Sequence, residues 1–296
     1  MKISLFLSCL LLASCSVKRL AVNSIADSLA NGSDVFATED DPELVRDALP
    51  FALKMVESLL GSAPDNEDLL LTACKGYTQY SYAFVQLEAE RIEDDDWEES
   101  QRQYGRALKF YLRARDYGLR GLEVRHPGFG DGLRGDLDGT LGELQRDEVP
   151  LLFWTASAWG AAVSRGLDKP ELLGDVQIVR ALIKRALALD EAWDQGAIHE
   201  AMVTIESFPE SMGGSPERAR EHFARSLELS GGLSVSLYIS LAENLCVPSQ
   251  NRAEFESLLQ RALEVDLDAA PERRLANTLG QQRARLLLSK VDDLFL

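Results

Sequence analysis

Two stretches of the 296-residue chain concentrate side chains able to hold a small organic molecule. Tyr77, Tyr80, Tyr82 and Phe84 form the first. Phe153, Trp154 and Trp159, interleaved with Ala156, Ala158, Ala161 and Ala162, form the second. Rings supply apolar surface and tyrosine hydroxyls supply a few oriented polar contacts, the usual make-up of a small-molecule pocket. A groove or pore built from Tyr77, Tyr80, Tyr82, Phe84, Trp154 and Trp159 would hold an alkyl part on the rings while a hydroxyl orients a carboxylate. The same residues also read, and more commonly, as packing between helices.

Reactive constellations are not found elsewhere. His126, His199 and His222 are the three histidines, and none has zinc-protease or paired metal-ligand spacing; His199-Glu200 lacks a second histidine. Gly213-Gly214-Ser215 is not followed by Gly-Lys-Ser/Thr and reads as a loop and helix cap. The glycines from Gly128 to Gly142 follow no strand and fit no dinucleotide fingerprint. No serine or cysteine nucleophile has a recognisable partner. The expectation is a protein with no enzymatic activity, no cofactor and no metal. A formal net charge of -17 repels phosphate backbones, which argues against nucleic acid as a partner.

The cysteines divide by position. Cys9 lies in the apolar run Ile3 to Leu12, which follows Met1-Lys2 and is too short for a permanent membrane span but has the length of an export signal. Leu12-Ala13-Ser14-Cys15 resembles the lipobox of bacterial lipoproteins. That resemblance implies cleavage before Cys15 and lipid on its sulfur and amine, so the chain would meet the membrane through Cys15. Ser16, where aspartate would suggest inner-membrane retention, favours the outer membrane with the body facing the periplasm. Cys74 and Cys246 read as small buried apolar groups, with a disulfide between them left open.

Around these residues the pattern is helical throughout. Val17, Leu20, Ala21, Ile25 and Leu29 make one face of a short helix. Asp41-Pro42-Glu43 starts the next, with Asp41 as cap and a kink expected at Pro50. Further helices are expected over 67–92, 97–124, 149–165, 170–189, 191–207, 216–229, 235–245, 252–265 and 271–294. The acidic stretch from Glu93 to Glu99 reads as a solvated turn without the spacing of a calcium loop. His126 to Gly135 reads as a glycine-rich loop or a very short helix. The domains expected are a signal over 1–14, an anchor, short helix and linker over 15–40, and a single all-helical domain over 41–296.

Five helix ends share a small-apolar pattern, among them Ala186-Leu187-Ala188-Leu189, Ser226-Leu227-Glu228-Leu229 and Ala262-Leu263-Glu264-Val265. With Ala219, Phe223 and Ser226 at small-aromatic-small spacing, they resemble the second helix of a tetratricopeptide repeat. Small side chains let paired helices approach, and stacked pairs share one core and leave a concave face or channel. The fold class expected is all-α, an irregular tetratricopeptide-like array of helical hairpins.

Several segments together resemble the T-component family of tripartite ATP-independent periplasmic (TRAP) transporters. They are Asp41 to Lys54, Ala63-Pro64-Asp65-Asn66, Gly76-Tyr77-Thr78-Gln79-Tyr80, Met212 to Phe223, and Arg283 to Leu288 with Asp292-Asp293-Leu294-Phe295. The resemblance implies a periplasm-facing lipoprotein that self-associates as a homotrimer around apolar pores. It also implies docking of a periplasmic solute-binding protein carrying a hydrophobic or organic-acid cargo. The alternative is a tetratricopeptide-like scaffold lipoprotein that holds peptide segments in an envelope assembly complex.

Overall fold

The computed structural model describes residues 35–166 and 168–295. Cys15, the lipobox and the helix expected over 17–29 lie outside them. Among the described residues there is no strand, and the chain is a succession of helices joined by short turns.

Capping chemistry sets most boundaries. α1 (Pro42–Leu60) starts where the Asp41 carboxylate accepts from the amides of Glu43 and Leu44 at 2.9 and 3.1 Å, and it continues past Pro50. α2 (Glu67–Tyr80) is capped by Asn66, passes into a π-helical segment over Ser81–Gln86, and ends as α3 (Leu87–Ile92). α4 (Trp97–Arg125) is capped by Asp96, so the acidic stretch is also a helix start. The glycine-rich region folds into two short helices, α5 (Phe129–Gly135) and α6 (Leu137–Gly142), with Glu123 accepting from the amides of Gly128 and Gly130.

α7 (Val149–Arg165) follows as expected. The helix expected over 170–189 is broken into α8 (Pro170–Leu173) and α9 (Val176–Leu189). The break turns Asp175 inward, where it accepts from the Trp159 indole at 2.9 Å and from Arg134 at 3.0 Å. α10 (Ala197–Glu206) starts later than the sequence suggests, because Asp194 and Gln195 adopt positive φ in the turn before it. α11 (Pro216–Leu229) is capped by Ser215. α12 (Val235–Leu241) runs into a second π-helical segment, Ala242–Cys246. α13 (Arg252–Glu264), α14 (Arg274–Ser289) and α15 (Val291–Leu294) complete the chain, the last two separated by a break at Lys290.

Small residues set the closest approaches. A Cβ on Gly118 of α4 would lie 2.1 Å from the Thr155 hydroxyl of α7, and one on Gly121 would lie 2.7 Å from Leu151. The two backbones therefore meet along a seam that no larger residue fits. Around it packs a core that includes Tyr111, Leu122, Leu152 and Trp159. A second core, with Val235, Leu237, Phe255 and Leu259, joins α12, α13 and α14. α10 serves both: Ile198 and Met202 face the first and Val203 the second.

The array then turns back on itself. The Leu275 amide of α14 donates to the Ala37 carbonyl at 3.0 Å, Lys290 pairs with Asp94 at 2.6 Å, and Arg283 of α14 reaches Glu90 of α3. Last helices meet first helices, and a cleft lies where they close.

Candidate functional site

The cleft has a volume of about 600 Å³, and Glu90, Glu93, Tyr104, Arg165, Glu243 and Arg283 are among its lining. Its floor is an ionic knot. The Arg283 guanidinium donates to both oxygens of Glu243, Nε to Oε2 at 3.1 Å and Nη2 to Oε1 at 2.7 Å. Its third nitrogen, Nη1, donates to Glu90. Glu90 also accepts from the Gln86 amide at 2.9 Å, and Gln86 accepts from the Tyr111 hydroxyl at 2.8 Å. One hydrogen-bonded line thus ties α4, α3, α14 and the second π segment together. Burial opposes the charge on Arg283, but Tyr82, Glu243 and Glu90 outweigh it and hold the guanidinium well above its ordinary range.

Both π-helical segments face this knot. A π turn inserts one residue into a helix and redirects the side chains that follow, and such turns concentrate at functional sites. Here the first carries Tyr82 and the second carries Glu243. Two buried serines hold the first segment, and α3 after it, against α4: Ser81 donates to the Ala107 carbonyl and Ser100 to that of Ala89, both at 2.9 Å.

Tyr82 and Glu200 stand near the knot, Tyr82 41% exposed and Glu200 half-buried. Burial pushes the Tyr82 hydroxyl up to about 12; Arg283 opposes this while Glu243, Glu90 and Glu200 add to it. The Glu200 carboxyl is likewise raised by burial, against hydrogen bonds from Ser236 and Ser234, the latter at 2.9 Å. Tyr104 donates to Glu93 at 3.2 Å and carries the Arg165 guanidinium 4.9 Å from its ring centre; burial followed by Glu90 and Glu93 raises its hydroxyl. The cleft is acidic and hydroxyl-rich, with Leu286 and Leu287 as apolar patches.

The residues singled out in sequence occupy four settings. Tyr77, Tyr80 and Phe84 stack with Phe110 and Tyr117 between α2 and α4, at ring separations of 5.8 to 6.1 Å. Tyr82 is turned away from this stack and is exposed near Arg283. Trp154 packs edge-on to Phe153, which in turn meets Trp193. Trp159 is buried in the core with its indole on Asp175. Glu90, Glu243, Arg283 and Glu200 are not among the ligand-binding candidates drawn from the sequence. They sit at ordinary helical positions, and the contact between Arg283 and Glu90 joins residues 193 apart.

Cys74 and Cys246 are free thiols, both buried, and burial pushes each up to about 12. His199 and His222, distant in sequence, share a hydrogen bond between their Nδ1 atoms at 2.8 Å. Among the described residues no group of three or more His, Cys, Asp or Glu has the arrangement of a metal site, and no helix is long and apolar enough to cross a membrane.

A family model described as "TRAP transporter T-component" matches residues 38–295. A Treponema pallidum (strain Nichols) protein, described only as uncharacterized, is 34% identical over 312 aligned residues, covering 98% of this chain and 96% of its own length.

Proposed function

The chain belongs to the TRAP transporter T-component family, and from that premise we propose that it receives a small ligand from a docked solute-binding protein into the cleft at the Arg283 knot. Membership makes it an accessory component of a TRAP transporter, and the family bears out the resemblance drawn from Asp41 to Lys54 and the later segments. The observation that carries the proposal is a cleft of about 600 Å³ in which Arg283 gathers Glu90 and Glu243 and beside which Tyr82 stands exposed. The lining favours a ligand with a hydrogen-bonding head group over a wholly apolar one, because buried polar groups must find partners when water leaves.

The same reading places the body in the periplasm, held to the outer membrane by lipid on Cys15, and self-associated as a trimer. Labelled palmitate should be incorporated by the wild type and not by Cys15→Ala. For the cleft, Tyr82→Trp adds bulk beside Arg283 while keeping an aromatic ring. In cells lacking the protein, it should restore less than about a tenth of TRAP-dependent uptake of a labelled organic acid, at normal protein level. Full restoration would show that nothing passes Tyr82.

A further inference from the structure

The outward face of α4 contradicts the charge of the whole molecule. Arg102, Arg106, Lys109, Arg113 and Arg120 recur at spacings that bring them to one side of the helix, and all five are exposed. A basic stripe of this length stands on a protein of net charge -17. Part of it is matched internally: Glu99 holds Arg102 and Glu57 holds Arg113, while Asp116, the acid that interrupts the stripe, is taken by Arg115. Arg106 and Lys109 have no carboxylate partner within 4 Å among the described residues.

Three of the five cations are held over rings. The Arg106 guanidinium lies 5.2 Å from the Phe110 centre and donates to the Tyr80 hydroxyl at 3.3 Å. Arg113 lies 5.2 Å from Tyr77, and Arg120 lies 5.4 Å from Tyr117. Such stacking holds the guanidinium planes while leaving their donors available to an incoming group. The stripe also continues onto α1, because Glu57 binds Lys54 as well as Arg113. Around Lys54 on that helix stand Phe51, 72% exposed, Met55, 47% exposed, and Leu44, 55% exposed, three large apolar groups facing outward. Arginine, aromatic rings and methionine beside exposed apolar side chains are what protein interfaces are enriched in.

We infer that the α4 stripe and the Phe51–Met55 face of α1 form one docking surface for an acidic protein face. The inference rests on the reading that this chain works by contact with a solute-binding protein, and it assigns that partner a carboxylate-rich docking face with an apolar centre. The charge pattern selects this occupant: ring-fixed arginine forks match carboxylates geometrically, whereas attraction to an anionic lipid surface needs no fixed geometry. The strongly negative remainder of the chain also disfavours lying on anionic lipid.

The test uses the full chain and the purified solute-binding component of the same transporter, with affinity measured by calorimetry at several salt concentrations. Wild-type binding should weaken about tenfold as salt is raised from about 0.05 to 0.5 M. Reversing the two unmatched cations in Arg106→Glu/Lys109→Glu should weaken it about 100-fold. Phe51→Ser should weaken it about tenfold with little change in salt dependence. Glu264→Lys, an exposed reversal on α13, should leave it unchanged. Unaltered thermal melts establish that each variant folds. If the component binds wild type and both stripe variants equally, the surface assignment is overturned while docking stands. If it fails to bind wild type at all, the docking reading falls and takes this inference with it. Binding of vesicles of phosphatidylethanolamine and phosphatidylglycerol that is lost in the double variant, with component binding intact, would assign the stripe to the membrane and overturn the proposal.

Discussion

Two regions of this molecule are built from arginine, tyrosine and glutamate in opposite proportions. In the cleft, Arg283 faces two carboxylates and is only 11% exposed; on the α4 stripe, five exposed cations share two carboxylates and three of them lean on rings. The difference lies in who supplies the balancing charge. Arg283 is neutralised from within, so it locks helices together and leaves the cleft acidic. The stripe is left positive, so its balance must come from solvent or a partner.

That contrast makes graded predictions. Arg283→Met should have the largest effect, since it leaves Glu90 and Glu243 close together without their cation; a loss of about 3–5 kcal/mol in urea unfolding is expected. A loss under about 1 kcal/mol would mean the knot is not a lock, and the comparison would break. Next in size is acid sensitivity at the histidine pair. Burial lowers both His199 and His222 below 6.5, with Glu191 raising the first and His199 further lowering the second. Folded values below unfolded ones contribute stability above 6.5 that is lost as pH falls through the folded values. His222→Gln should flatten the fall in melting temperature between about pH 6.5 and 5; an unchanged profile would place the acid sensitivity elsewhere.

A smaller effect, of opposite sign, is expected at Glu200. Its carboxyl is raised above 4.5 in the fold, so its contribution is present below 4.5 and lost as pH rises through the folded value. Glu200→Gln should therefore raise the melting temperature by a few degrees near neutral pH, with the gain vanishing under acid. A gain that persists at low pH would show that charge is not the cause. The smallest effect belongs to Arg106→Ala, which gives up contacts with Phe110 and Tyr80 at an exposed site and should change stability by less than about 1 kcal/mol. A larger loss would mean that the stripe is scaffolding and would erase the distinction between the regions.

Much of the architecture was legible in sequence because caps and small-residue seams are local signals. Asp41-Pro42 and Ser215-Pro216 start helices where they were expected to, and the helix over 149–165 runs as its periodicity indicates. The π segments were not legible. A one-residue insertion leaves the apolar pattern nearly intact, and it is held by tertiary bonds such as Ser81 to Ala107. The break at Asp175 escaped for the same reason, being fixed by Trp159 from another helix. The aromatic stretch was half legible: helical spacing puts Tyr77, Tyr80 and Phe84 on one face and Tyr82 across from them, so one cluster in sequence becomes a stack and an exposed ring beside the cleft. Arg283 was beyond reach because its partners come from two distant turns of the chain.

An open superhelix can gain or lose a hairpin and simply become longer or shorter. This one cannot, because the Leu275–Ala37 bond and the Arg283–Glu90 pair fix its circumference. One more hairpin would carry α14 past its carboxylates, so any insertion must bulge outward as a loop and leave the count of stacked units as it stands.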